Sequence, residues 1–223
     1  MEPAAAYAAI VFDLDGTVAD TPDLITGIMA GILTELGASA DRAAIRATIG
    51  LPLVDSFAKL MDAQVGDARV IEATQLYRGR FDAGAEERGT ELLFPGVVEG
   101  LAKLRAAGVR LSIGTSKSFA AAMHVLDVCG ISDQFETVVG FDNVAKGKPA
   151  PDTALLAGTR LDTEPARCVV VGDAIGDMRM GVDAGMHTLG VSYGVGSATD
   201  LYAAGAEHVV DEFAAIVSHV LGS

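Results

Sequence analysis

From about residue 95 onward the chain alternates short, nearly unbroken apolar runs with segments of helical period, and few folds accommodate that pattern. "VRLSIGT", "FETVVG", "RCVVVGD" and "HTLGVS" read as buried strands. "GVVEGLAKLRAAG" places Val97, Val98, Leu101 and Leu104 at helical spacing and stops at Gly108. "AAMHVLDVCG", "PDTALLAGTR" and "DMRMGVDAGM" read as further helices, and "TDLYAAGAEHVVD" as a helix followed by a final strand. Strands that alternate with helices predict an α/β fold, a Rossmann-like, doubly wound and mainly parallel sheet. "YAAIVFD", at residues 7–13, reads as another strand of that sheet.

Between that strand and residue 95 the character changes. "TPDLITGIMAGILTELGA", "DRAAIRATIG", "LVDSFAKLMDA" and "ARVIEATQLYRGRFDAG" all favour helix, with no convincing strand among them. The expected organisation is an α/β core formed by residues 1–18 and 91–223, with a small all-helical cap, residues 19–90, inserted after the first strand.

The 223 residues include half hydrophobic residues and 21% charged ones, enough apolar side chains for a packed core. The formal net charge of −14 argues against nucleic acid and against anionic membrane surfaces as partners. An anionic ligand would therefore need local positive charge. Cys129 and Cys168 are too few for a disulfide scaffold and show no metal spacing, so both are read as small buried side chains in a reduced compartment. "MEPAAAYAAI" lacks a basic leader, and no run approaches bilayer length. The expectation is a cytoplasmic protein with no membrane partner.

Three polar clusters end strand-like runs: Asp13-Leu14-Asp15 after "AIVF", Thr115-Ser116-Lys117 after "LSIG", and Gly172-Asp173 after "CVVV". Asp-Gly by itself marks many turns. In an open α/β sheet, however, ligands sit beyond the carboxyl ends of the strands, so parallel strands bring all three clusters to one edge. Lys146 and Lys148, in "AKGKPAPD", follow the strand-like "TVVG" and are expected to reach the same edge. Clustered carboxylates without His or Cys make an all-oxygen site suited to a hard cation such as Mg2+. Such an ion beside a lysine and a hydroxyl suits a phosphoryl group. One carboxylate can attack phosphorus, and a second, two residues on, can serve as general acid and then base. Asp13 and Asp15 suit these roles, because alternate residues at a strand end can project to the same side.

In these motifs and their order the chain resembles the haloacid dehalogenase superfamily, and within it the phosphoglycolate phosphatase-like hydrolases that carry a helical cap. The resemblance covers essentially the whole chain. In "VFDLDGT" it implies Asp13 as nucleophile and metal ligand, and Asp15 as general acid/base that offers its backbone carbonyl to the metal, with Thr17 in support. In "LSIGTS" it implies Thr115 as the hydroxyl on the transferring phosphoryl group, with Ser116 beside it where asparagine is common. In "KGKPAPD" Lys148 neutralises the phosphate and Asp13. In "VVVGDAIGD" Asp173 is a Mg2+ ligand and Asp177 a supporting carboxylate. "TIGLPL" and "FPGVVEGL" match the cap loop and the return to the core, which makes Gly50 and Leu51 candidate substrate contacts.

Asp15 separates phosphate-ester chemistry from relatives that cleave carbon–halogen or carbon–phosphorus bonds, which generally lack that carboxylate. The implied activity is a Mg2+-dependent phosphatase for a small phosphorylated metabolite, 2-phosphoglycolate being one candidate. A β-phosphoglucomutase-like phosphomutase or a pyrophosphatase on the same core stands as the alternative. Mutase-like relatives often carry Glu-Asp where this chain has Gly172-Asp173. A catalytically silent binding module fits less well with five intact motif residues. The cap cations Arg42, Arg46, Lys59, Arg69, Arg78, Arg80 and Arg88 are read mainly as solvent-facing. His124, His187 and His208 are taken as structural, and the glycines of "VSYGVGSATD" as flexibility near the site. A monomer or a homodimer is expected.

Overall fold

The computed structural model describes residues 5–222. The first four residues, part of the stretch read for a leader, lie outside that range. Strand β1 (Ala9–Phe12) is followed by four helices, α1 (Pro22–Glu35), α2 (Arg42–Arg46), α3 (Leu53–Leu60) and α4 (Ala68–Arg88). After a 3-10 turn at Gly89–Leu92 come α5 (Val97–Ala106), β2 (Arg110–Gly114), α6 (Phe119–Val128) and β3 (Thr137–Val139). The chain ends with α7 (Asp152–Arg160), β4 (Cys168–Gly172), α8 (Ile175–Asp183), β5 (His187–Val191), α9 (Ala198–Ala203), β6 (His208–Val210) and α10 (Phe213–Leu221).

The six strands form one parallel sheet in the order β3-β2-β1-β4-β5-β6. The chain direction of winding reverses at β1, which lies between β2 and β4 with Ala9 beside both Arg110 and Cys168. That is the switch point where α/β sheets open a crevice at the strand carboxyl ends. Strand β1 is apolar at every position because both of its faces are covered. Ile10 and Phe12 join Ile113, Val171 and α10 on one face, whereas Ala9 and Val11 join Ala154, Val170 and Met180 on the other.

Helix α10 is absent from the sequence-based expectation, although Phe213, Ile216, Val217 and Val220 follow a helical period and are all buried. Phe213 stacks on Phe12 with ring centroids 5.7 Å apart. Gly100 of α5 makes this possible, since a Cβ there would lie 2.6 Å from the Phe213 ring.

The segment between β1 and α5 is helical, with Asp41 and Asp67 accepting backbone N–H groups at the starts of α2 and α4. It meets the sheet through two adjacent chain crossings, where Asp20 N–H donates to the Leu92 carbonyl at 2.6 Å and Phe94 N–H to the Val18 carbonyl. Ile25, Met29, Phe57, Tyr77 and Phe81 from these helices are buried in the same apolar cluster as Ile10 and Phe12. Among the described residues, no helix is long and apolar enough to cross a membrane.

Candidate active site

The three polar clusters do meet at one edge. The backbone of β1 continues one residue past the strand, as Asp13 N–H donates to the Val171 carbonyl at 2.8 Å. Carboxylate oxygens of Asp13, Asp173 and Asp177 all lie within 4.8 Å of one another, and all three residues are buried. Among the described residues one cation faces them: the Lys148 ammonium donates to Asp13 Oδ1 at 2.5 Å and Asp177 Oδ1 at 2.6 Å. Its side chain is 4% exposed.

The electrostatics follow from that count of charges. Burial pushes the Asp13 carboxyl up from 3.8 to about 7; the Lys148 charge works against the rise and Asp177 adds to it. Asp173 is raised well above the usual carboxylate range by burial first and then by Asp13 and Asp177, with the Val195 N–H and the Thr17 hydroxyl opposing. Burial disfavours the Lys148 ammonium, yet Asp13 and Asp177 outweigh it and raise its pKa. Three buried carboxylates with one lysine leave a deficit of positive charge, and an all-oxygen donor set is what a hard divalent cation takes.

The loop after β5 does more than flex. Val195 N–H donates to Asp173 Oδ2 at 2.7 Å, and Thr17 donates to Oδ1 at 3.2 Å. A Cβ on Gly194 or Gly16 would lie 2.1 or 2.2 Å from Asp173 Oδ2, and Gly16 adopts φ +88°. These glycines are close-approach positions around one carboxylate, a steric reason rather than a dynamic one. Tyr193 closes the loop, its hydroxyl donating to the Thr17 carbonyl at 2.9 Å.

Asp15 occupies a different environment. Thr21 donates to its Oδ1 at 2.5 Å, and Lys117 pairs with its Oδ2 at 3.1 Å, the Lys117 and Asp15 side chains each being 13% exposed. Lys117 also lies 4.0 Å above the Phe81 ring of α4. Neither Thr21 nor Lys117 was assigned a role from the sequence. Lys117 stands in the quoted Thr115-Ser116-Lys117 cluster, but nothing in its spacing indicates which carboxylate it meets. Thr115 is buried at the end of β2, its hydroxyl accepting Lys117 N–H at 3.2 Å. Ser116 donates to the Gly50 carbonyl at 2.6 Å, which ties the loop between α2 and α3 to the sheet edge.

Asp13, Asp15, Thr115, Ser116, Gly50 and Leu51 all line a cleft of about 100 Å³ between the sheet edge and α1 and α4. Lys146 does not join it and is exposed. Of the cations on the helical segment, Arg42 and Arg46 pair with Asp23, Arg69 with Asp67, and Arg80 with Glu35, while only Arg78 reaches the cleft.

Comparison with known proteins gives a consistent result. A model of a family described as haloacid dehalogenase-like hydrolase matches residues 10–191. The chain is 41% identical over 212 residues to the probable phosphatase IndB of Dickeya dadantii, covering 93% of this chain and 91% of that one. It is 32% identical to the phosphoglycolate phosphatase of Psychrobacter arcticus, covering 95% of each. Among solved structures it is similar to CbbY from Rhodobacter sphaeroides in complex with phosphate, at TM-score 0.76 and 27% identity over 93% of this chain and 95% of that one.

Proposed function

Because the chain belongs to the haloacid dehalogenase-like hydrolases, we propose that it is a Mg2+-dependent phosphatase that hydrolyses a small phosphomonoester through phosphorylation of Asp13. The observation that carries the reading is the division of labour between two carboxylates two residues apart. Asp13 is bonded to Lys148 inside the buried acidic cluster, whereas Asp15 is held apart by Thr21 and Lys117. Relatives named as phosphatases, and a neighbour solved with phosphate, support the same chemistry.

In the proposed first step a carboxylate oxygen of Asp13 attacks phosphorus, the bond to the leaving oxygen breaks, and Asp15 delivers its proton to that oxygen. Lys148 and the Thr115 hydroxyl bind the non-bridging oxygens. In the second step Asp15 takes a proton from water as the water oxygen bonds to phosphorus, which breaks the acyl-phosphate bond and restores Asp13. Asp13 and Asp173 are the side chains to hold the divalent ion, with the Asp15 carbonyl; Asp177, bonded to Lys148 and to the Ala174 N–H, positions the lysine and the start of α8. When bound, the ion supplies charge neutralisation for the phosphoryl group. Residues 19–90 act as the cap that excludes water from the first step.

A phosphomutase shares this chemistry, but Gly172 speaks for the phosphatase. A Cβ at that position would lie 2.4 Å from the Cβ of Asp177, so the Glu-Asp pair of mutase-like relatives has no room here. The test is phosphate release by the purified protein from a panel of phosphorylated metabolites. Release that requires Mg2+ and stops with chelator is expected; a sugar 1-phosphate converted to its 6-phosphate isomer without phosphate release would select the mutase instead.

A further inference from the structure

We infer that the leaving-group end of the cleft takes an uncharged, apolar alcohol, so that the substrate is a phosphomonoester of a small neutral alcohol rather than one bearing a carboxylate or a second phosphate. This rests on the phosphatase reading above. Facing Asp13 and Asp15, the helical segment supplies Ile25 and Met29 from α1 and Tyr77 and Phe81 from α4. These four are 6%, 1%, 5% and 3% exposed, and the two rings stack with centroids 5.5 Å apart. Such a wall recognises carbon, and its rings favour another flat face.

A second anion on the substrate would need a cation, and the two least exposed ones nearby are already paired. Lys117 is bound to Asp15, and Lys148 to Asp13 and Asp177. Arg78 is exposed and shares the cleft with Asp82. Arg46, Lys59 and Arg179 line the neighbouring cleft, which shares residues 49–51 and borders Lys148 and Asp177, rather than this one. A leaving-group carboxylate would be desolvated against Met29, Tyr77 and Phe81, in a cleft where Asp13, Asp15 and Asp82 stand against Lys117 and the exposed Arg78.

The experiment is competition at saturating Mg2+, with hydrolysis of p-nitrophenyl phosphate as the readout. Benzyl phosphate is expected to compete at least about 10-fold more strongly than 2-phosphoglycolate, the size of discrimination an apolar pocket provides. Phe81→Leu keeps an apolar side chain of similar bulk, and it should narrow that preference about threefold or more by weakening benzyl phosphate alone. Equal or stronger competition by 2-phosphoglycolate overturns the inference and leaves the phosphatase reading intact, and so does a preference unchanged in Phe81→Leu. Absence of any p-nitrophenyl phosphate turnover in the wild type sinks the phosphatase reading and this inference with it.

Discussion

Without a divalent ion, the protein should lose stability as the pH rises from 5 to 8, and the Asp13→Asn variant should lose much less. The Asp13 carboxyl is raised by burial from 3.8 to about 7. Between those values the folded protein holds a proton that the unfolded chain has released, so stability falls with rising pH. The contribution is complete below the unfolded value and is lost as the pH climbs through about 7. Integrated from pH 5 to 8 for one proton, the loss is about 2–3 kcal/mol. For a chain of this length that corresponds to a fall in Tm of roughly 5–10 °C. Scanning calorimetry in excess chelator, on wild type and Asp13→Asn in parallel, isolates the effect, since Asn has the same shape and no proton to lose. Added Mg2+ should restore wild-type Tm most at pH 8, where the carboxylates are ionised. Parallel pH–Tm curves for the two proteins would refute the reasoning.

Three other outcomes follow from the same geometry. Lys148→Met removes the lone cation bonded to Asp13 and Asp177 and should destabilise the metal-free protein by about 3–5 kcal/mol at pH 8, read from urea unfolding. Gly194→Ala puts a Cβ 2.1 Å from Asp173 Oδ2; Mg2+ affinity measured by titration calorimetry should weaken about 10-fold or more. Asp15→Asn should leave Mg2+ affinity near that of wild type while slowing turnover roughly 10²–10⁴-fold, with the smallest loss for p-nitrophenyl phosphate, whose leaving group needs least protonation.

The sheet was legible because its inner strands are buried on both faces, and a run such as "CVVV" has no other comfortable home. Helix α10 carries an equally clear period, but "HVVD" reads as a terminal strand with little chain beyond it. The core site was legible for a topological reason: parallel strands deliver their carboxyl ends to one edge, so motifs far apart in sequence converge without any knowledge of loop paths. What holds those motifs was not legible. Val195 acts through its backbone N–H, which any residue carries, and Thr21 and Lys117 reach Asp15 through side-chain directions that spacing does not encode. The glycines around Asp173 read as flexibility because a close approach is visible only once both partners are in place.

The most direct test of the central claim is to locate the phosphoryl group during turnover. Wild-type protein mixed with Mg2+ and a hydrolysed ester, quenched in acid within a turnover and digested, should yield a peptide phosphorylated on Asp13. Product formed with no covalent phosphate on the chain, or with phosphate on any residue other than Asp13, would contradict it.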